Sequence, residues 1–160
     1  MENEFRSMRR FKQKLTEDEC WALLRKEIRG VLAVNGENGY PYAFPMNFYF
    51  NENANTLYLH SAKAGHKVDA LRKDSRVCFC LHDEGWREEG KWQTHFQSVV
   101  IFGRIRFVDD SELSIKYAKE FDGKFEPSDE VELHIKREGA LVQMLELEID
   151  HMTGKRVLEG

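Results

Sequence analysis

Apolar residues recur along this chain with two periods, and the switches between them mark its elements. Trp21, Leu24 and Ile28 fall at helical spacing behind the T-x-x-E pair Thr16 and Glu19, which predicts a capped helix over about 16–29, ended by Gly30. The run GVLAVNGENGYPYAFPMNFYF alternates apolar and polar residues on either side of Asn38-Gly39, predicting strand, turn, strand. Proline cannot donate to a ladder, so Pro41 and Pro45 confine the second strand to an edge or an irregular lip. The segment NENAN turns into a strand over 56–61, where Leu57 and Leu59 alternate with Thr56, Tyr58 and His60. A helix follows over about 64–74 with Val68, Ala70 and Leu71 inward, and SRVCFCLHD is the next strand. Beyond the polar loop EGWREEGKW lies a long strand over 95–108. Its Val99, Ile101, Ile105 and Phe107 share one face, while Arg104 and Arg106 read as solvated on the other. A helix over about 110–122, a short helix capped at Ser128 and the closing strand LVQMLELEID complete the pattern.

Six strands joined mainly by hairpins predict a mainly β, antiparallel barrel with peripheral helices, in a single domain over 1–160. A doubly wound sheet is disfavoured, and the glycines agree. They nowhere form G-x-G-x-x-G, and Gly154-Lys155 lacks the upstream glycine and following Ser or Thr of a phosphate loop.

Charge narrows the partners. With 24 Lys plus Arg against 28 Asp plus Glu, the net charge of −4 gives no nucleic-acid surface. No run reaches the ~18 apolar residues of a membrane span. Cys20, Cys78 and Cys80 make an odd number without a disulfide spacing, and the N-terminal MENEFRSMRRFKQ has no signal-peptide core, so a reduced, cytoplasmic protein is expected.

The candidate chemistry centres on HSAKAGHKVDALRKD, residues 60–74. A strand leaves through the small residues Ser61, Ala62 and Ala64 and through Gly65, then sets His66 and Lys67 in a first helical turn. Unpaired amides, the helix dipole and Lys67 together suit a phosphate. The same residues also read as an ordinary strand-to-helix turn with a solvated lysine. Cys78, Cys80 and His82 share a strand face, but successive residues there lie roughly 6.6–6.8 Å apart, too wide for one tetrahedral metal, so no metal site is expected.

In order, NGYPYAFPMNFYF, LYLHSAKAGHKVDALRKDSRVCF, FQSVVIFGRIRFVDD and IDHMTGKR resemble the FMN-binding split barrels of the pyridoxamine 5′-phosphate oxidase superfamily, and more narrowly its nitroimidazole-resistance branch, over residues 8 to 157. The resemblance implies a six-stranded Greek-key split barrel that forms a homodimer and binds FMN between subunits. It puts His66 and Lys67, with Gly65, on the FMN phosphate. Tyr58, His60, Ser61 and Ala62 are implied along the flavin, Pro45, Met46 and Asn47 at the ring edge, and Gln97 and Ser98 contribute from the partner chain. Histidine stands at position 66 where the oxidases more often carry arginine. The oxidases' basic strand residues are replaced by Phe44, Met46 and Phe48, and their closing tryptophan and arginine by MTGKR. An apolar wall of this kind suits a nitroaromatic or quinone rather than pyridoxamine phosphate. The implied reaction is reduction of such small aromatic acceptors with electrons from NAD(P)H, without a protein nucleophile. The alternatives are a non-catalytic flavin- or haem-binding protein and a pyridoxamine-phosphate-oxidase-like enzyme. Trp86 and Trp92 read either as a lid or as loop anchors and dimer contacts. His60 and His95 read either as flavin neighbours or as hydrogen-bonded structure.

Overall fold

The structure, a computed structural model, describes residues 4–159; Met1, Glu2, Asn3 and Gly160, at the ends of the expected domain, lie outside the described residues. Helix α1, Glu17–Lys26, begins with the expected capping box: Thr16 Oγ1 accepts from the Glu19 amide at 3.2 Å, and Glu19 Oε2 accepts from the Thr16 amide at 3.0 Å. It stops three residues short of expectation. Glu27 is already extended, and the carbonyl of Ile28 accepts from the Phe48 amide at 3.2 Å, so a tertiary bond takes the group that another helical turn would use.

Strand β1, Arg29–Asn35, pairs antiparallel with β2, Pro41–Asn47. A second hairpin joins β3, Tyr49–Asn51, to β4, Thr56–Ala62. Helix α2, His66–Lys73, leads to β5, Arg76–His82; then come β6, Trp86–Arg87, and β7, Thr94–Phe107. Helices α3, Ser111–Asp122, and α4, Ser128–Glu138, precede β8, Val142–Glu159. Ser128 is the first helical residue of α4 rather than its cap, which is Pro127.

The strands run β2-β1-β5-β7-β8-β4-β3, with β6 beside β7, in one antiparallel sheet curled into a split barrel. The proline strand β2 is an edge, as expected. Eight strands replace the six read from sequence for two reasons. The chain breaks at Phe48 and steps from the β2 edge across the split to the β3 edge, and the polar loop contributes the two-residue β6. Strand β8 runs on through the tail IDHMTGKR instead of ending near Asp150, because β7 offers it a partner as far as Thr94. The ladder shifts register between Phe102 and Gly103, which face His151 and Ile149 and leave Asp150 extra. Only glycine fits at 103, since a Cβ there would stand 2.2 Å from the Glu148 carbonyl oxygen.

The barrel interior holds Leu24, Leu32, Phe48, Leu57, Leu59, Phe79, Ile101 and Leu147, and a second cluster of Tyr58, Val108, Phe121 and Met144 lies under α3. Among the described residues, no helix is long and apolar enough to cross a membrane.

Arg104 and Arg106 are not simply solvated. Arg104 Nη2 reaches Asp150 at 2.9 Å and Glu148 at 3.1 Å, and Arg106 Nη2 donates to Glu146 at 3.0 Å. Glu146 is buried, so Arg106→Leu leaves a carboxylate without its counter-charge and is expected to cost about 1–3 kcal/mol in urea denaturation. An unchanged midpoint would mean that water replaces the arginine.

Lys124, between α3 and α4, clips this helical pair to the barrel. Its Nζ donates to the Glu27 carbonyl at 2.6 Å and the Phe48 carbonyl at 3.1 Å, and lies 4.2 Å over the Phe48 ring. Burial pulls its pKa from 10.5 down to about 8. Between those values the unfolded chain holds a proton that the folded chain has released, so stability rises with pH through that window. Urea midpoints at pH 7 to 10 are expected to show the rise in the parent and lose it in Lys124→Met.

Candidate functional site

Gly65 caps α2 with φ 125° and ψ 179°, a conformation that L side chains rarely adopt, and the space where a side chain would start is open. No side chain caps this helix. Thr16 caps α1, and Asp110 Oδ1 caps α3 by accepting from the Leu113 amide at 2.8 Å. The first helical carbonyl bond is Asp69 N–H to Gly65, so the amides of His66, Lys67 and Val68 precede the ladder. Strand β2 braces both basic residues. The His66 ring stacks on Tyr42 at 4.1 Å and 8°, and Lys67 Nζ sits 4.5 Å over Phe44, itself 4.9 Å from Tyr42. Free amides, the positive end of the helix and two oriented donors form a set suited to a phosphate dianion.

Strand β4 alternates, and that divides the other expected residues. Leu57 and Leu59 point into the barrel, with Ser61 of the same parity; the Ser61 hydroxyl donates to the Ala62 carbonyl at 2.8 Å. Tyr58 and His60 point to the opposite side, under α3. The Tyr58 side chain is 1% exposed, stacked on Tyr117 at 4.0 Å, and its hydroxyl pairs with Asn51 Nδ2 at 2.6 Å. Burial raises the Tyr58 pKa, and its ring is spent on holding α3.

His60 reaches further along the same side. Its ring meets Phe121 edge-on at 4.8 Å, and it lies opposite Met144 of β8. Together with Ala118, Asp122, His134 and Ile135 they line a pocket of about 100 Å³ between the sheet, α3 and α4. Desolvation lowers the His60 pKa, and the Asp122 carboxylate opposes this. Burial raises Asp122, with the nearby His134 opposing. His60 keeps an exposed side, and an imidazole whose charged form is disfavoured at a pocket wall can accept or donate one hydrogen bond to a flat polar ring.

Phe44, Met46 and Phe48 do not form an open slot: they are 7%, 7% and 0% exposed in the main core. The reason is that β2 turns the Phe44 and Met46 face into the barrel, leaving Pro45 outward. Asn47 Oδ1 accepts from Arg29 Nε at 2.9 Å. Gln97 and Ser98 lie opposite Arg156 and Lys155 of β8, whereas Ala62 lies opposite Val142. That is roughly 40 Å of strand path at ~3.3 Å per residue, so one chain does not bring these residues to α2. Trp86 stacks on His95 at 4.0 Å and anchors β6, while Trp92 is 71% exposed. Cys78 and Cys80 are half-buried on the outer sheet face with thiols raised by burial, and the His82 ring contacts the Asp83 carbonyl at 2.6 Å.

Sequence reasoning missed Tyr42 and the trio Phe121, Asp122 and His134. The period-2 pattern of PYAFPM could have found Tyr42, which shares a face with Phe44 and Met46. The pocket residues carry no joint signal, because α3, α4 and β4 meet only in the fold.

Residues 16–156 match the family model described as pyridoxamine 5′-phosphate oxidase, and the chain belongs to that family. No curated protein matches it in sequence. Among solved structures it is similar to a candidate 5-nitroimidazole antibiotic resistance protein of Bacteroides thetaiotaomicron. Identity is 21%, 91% of this chain and 87% of that one are covered, and the TM-score is 0.75. A FAD-binding protein of Mesorhizobium loti is 21% identical over 91% and 97% of the two chains, with a TM-score of 0.66. A FAD- and heme-binding protein of Mycobacterium smegmatis is 20% identical over 90% and 72%, with a TM-score of 0.73. At these identities the likeness establishes the fold, a split barrel.

Proposed function

We propose that the protein binds FMN and reduces small aromatic acceptors, nitroimidazoles or quinones, with electrons from NAD(P)H. The observation that carries this is the uncapped start of α2, where Gly65, His66 and Lys67 offer a phosphate-sized donor set braced by Tyr42 and Phe44. Family membership and the flavin-binding proteins of like fold support the same reading. Bound there, FMN supplies hydride chemistry that no side chain of the chain provides. Lys67 contributes charge to the phosphate, His66 a donor, and Ser61 and the Pro45–Asn47 strand the polar and backbone groups along the ring. On the face of β4 opposite Ser61, His60 lines a second pocket with Phe121, Met144 and Ile135, where a flat aromatic ligand can rest beside the strand. An apolar cavity of about 150 Å³ takes benzene, so about 100 Å³ takes only the ring edge of such an acceptor, the rest extending from the pocket mouth.

A homodimer completes the site in this reading, with Gln97 and Ser98 supplied in trans. The outer sheet face supports it. Val31, Cys80 and Val100 form one row across β1, β5 and β7, and Ala33, Cys78 and Phe102 the next, with Val31 43% exposed. An apolar face of this kind suits a two-fold partner. Val31→Asp is expected to sediment as a monomer and to lose FMN affinity; a parent monomer at micromolar concentration that still holds FMN would contradict the dimer.

The activity is tested by reducing the FMN-loaded protein chemically without air and following its reoxidation by a 5-nitroimidazole and by menadione, with pyridoxal phosphate formation assayed aerobically in parallel. Fast reoxidation and little pyridoxal phosphate is expected, because burying a substrate phosphate in an apolar pocket costs several kcal/mol. Rapid pyridoxal phosphate formation without reoxidation overturns the reductase reading. Silence in all three assays favours a binding-only protein.

A further inference from the structure

We propose that His134 is the positioning residue of the His60 pocket: as an imidazolium it gathers Asp122, Glu126 and Glu138, fastens α4 against α3 as the pocket wall, and leaves His60 the uncharged imidazole that faces the ligand. The identification of the ligand as an electron acceptor rests on the proposed function; the link between the two histidines does not.

The geometry favours a doubly protonated ring. His134 Nε2 lies 3.1 Å from Glu138 Oε2, while the buried Nδ1 faces Glu126 at 3.4 Å and Asp122 at 3.6 Å. A neutral imidazole has one nitrogen that only accepts, and here either nitrogen in that state would point its lone pair at a carboxylate. Protonated, the ring donates from Nε2 to Glu138 and sets the positive Nδ1 side against Glu126 and Asp122, so that its charge ties together the end of α3, the α3–α4 link and α4. Apart from the pair Lys119–Glu132 at 3.9 Å, it is the ionic contact between these helices among the described residues.

One of these carboxylates, Asp122, also acts on His60. Asp122 lies between the histidines as a wall residue of the pocket that both line. The charged groups acting on the pair are Asp122 on α3, Glu126 in the link, Glu138 on α4, His60 on β4 and Lys67 on α2. For His134 the three carboxylates outweigh desolvation, and its pKa stands above the ordinary value. For His60 desolvation leads, the cations of His134 and Lys67 add to it, and its pKa stands below. Deleting the His134 cation therefore removes a repulsion from His60 and frees Asp122 to attract a proton there, both of which raise it. The His134 fastening is present below the ordinary histidine range and is lost as pH rises through its elevated folded value.

The test uses the full-length purified protein with carbon-13-labelled histidine, titrated by NMR from about pH 5 to 9, in the parent, His134→Gln and His134→Arg. In the parent, His134 is expected to titrate above the ordinary value and His60 below it. The His60 midpoint moves up in His134→Gln and stays low in His134→Arg, whose charge does not titrate. As a second readout, binding of 2-methyl-5-nitroimidazole is expected to weaken with rising pH in the parent, to be weak throughout in His134→Gln, and to be flat and retained in His134→Arg. A His60 midpoint unmoved in His134→Gln, or one that rises equally in His134→Arg, overturns the proposal. If the midpoints behave as expected and the nitroimidazole binds none of the three proteins, the histidine coupling stands and the acceptor reading fails.

Discussion

Lys67→Ala is expected to weaken FMN binding about 10- to 150-fold, the equivalent of about 1.5–3 kcal/mol for a charge-assisted phosphate bond. The lysine stands in the first turn of α2 with its ammonium poised over Phe44, so its position is set by an aromatic face, and among the described residues no carboxylate pairs with it to compete with phosphate. The mutation gives up the ammonium's contact with Phe44 but truncates only a half-buried side chain. Fluorescence titration of FMN, with the urea midpoint as a control, reads the effect. An unchanged affinity would show that the phosphate is held elsewhere.

Phe48→Ala is expected to cost about 3–5 kcal/mol, a large share of the roughly 5–15 kcal/mol that a domain of this kind has in total. Phe48 is fully buried at the step where the chain passes from the β2 edge to the β3 edge. Its ring meets Phe79 edge-on at 5.3 Å and carries the Lys124 ammonium above it, so truncation opens a cavity and uncovers a half-buried cation at once. Phe48→Leu, which keeps most of the volume, is expected to lose less stability and to leave acceptor reduction intact. If Phe48→Leu instead abolished reduction without changing the urea midpoint, Phe48 would belong to a substrate wall after all.

Local chemistry was legible in the sequence wherever it acts over one turn or one alternation. The Thr16–Glu19 box, the proline edge strand, the hairpin at 51–55 and the glycine entry to α2 all stand as read, because neighbouring residues decide each of them. What escaped was set by distant partners. Helix α1 ends early because Phe48 claims the Ile28 carbonyl, and β8 is long because β7 is. The sequence reads Phe44, Met46 and Phe48 as an apolar wall, yet which side of the sheet that wall meets is a property of barrel closure, and it closes inward. The sequence shows His60 only as a strand histidine. The residues that give it a setting, Asp122 and His134, lie more than sixty positions away on helices whose amphipathic pattern says only that one side is covered.

Phosphate capture at Gly65, His66 and Lys67 is the centre of the proposed site, and its most direct measurement is a titration of the flavin-free protein with FMN and with riboflavin under the same conditions, FAD being run alongside. The prediction is that FMN binds at least about ten-fold more tightly than riboflavin, and that Lys67→Ala erases most of the difference. Equal affinity for FMN and riboflavin in the parent protein would contradict it.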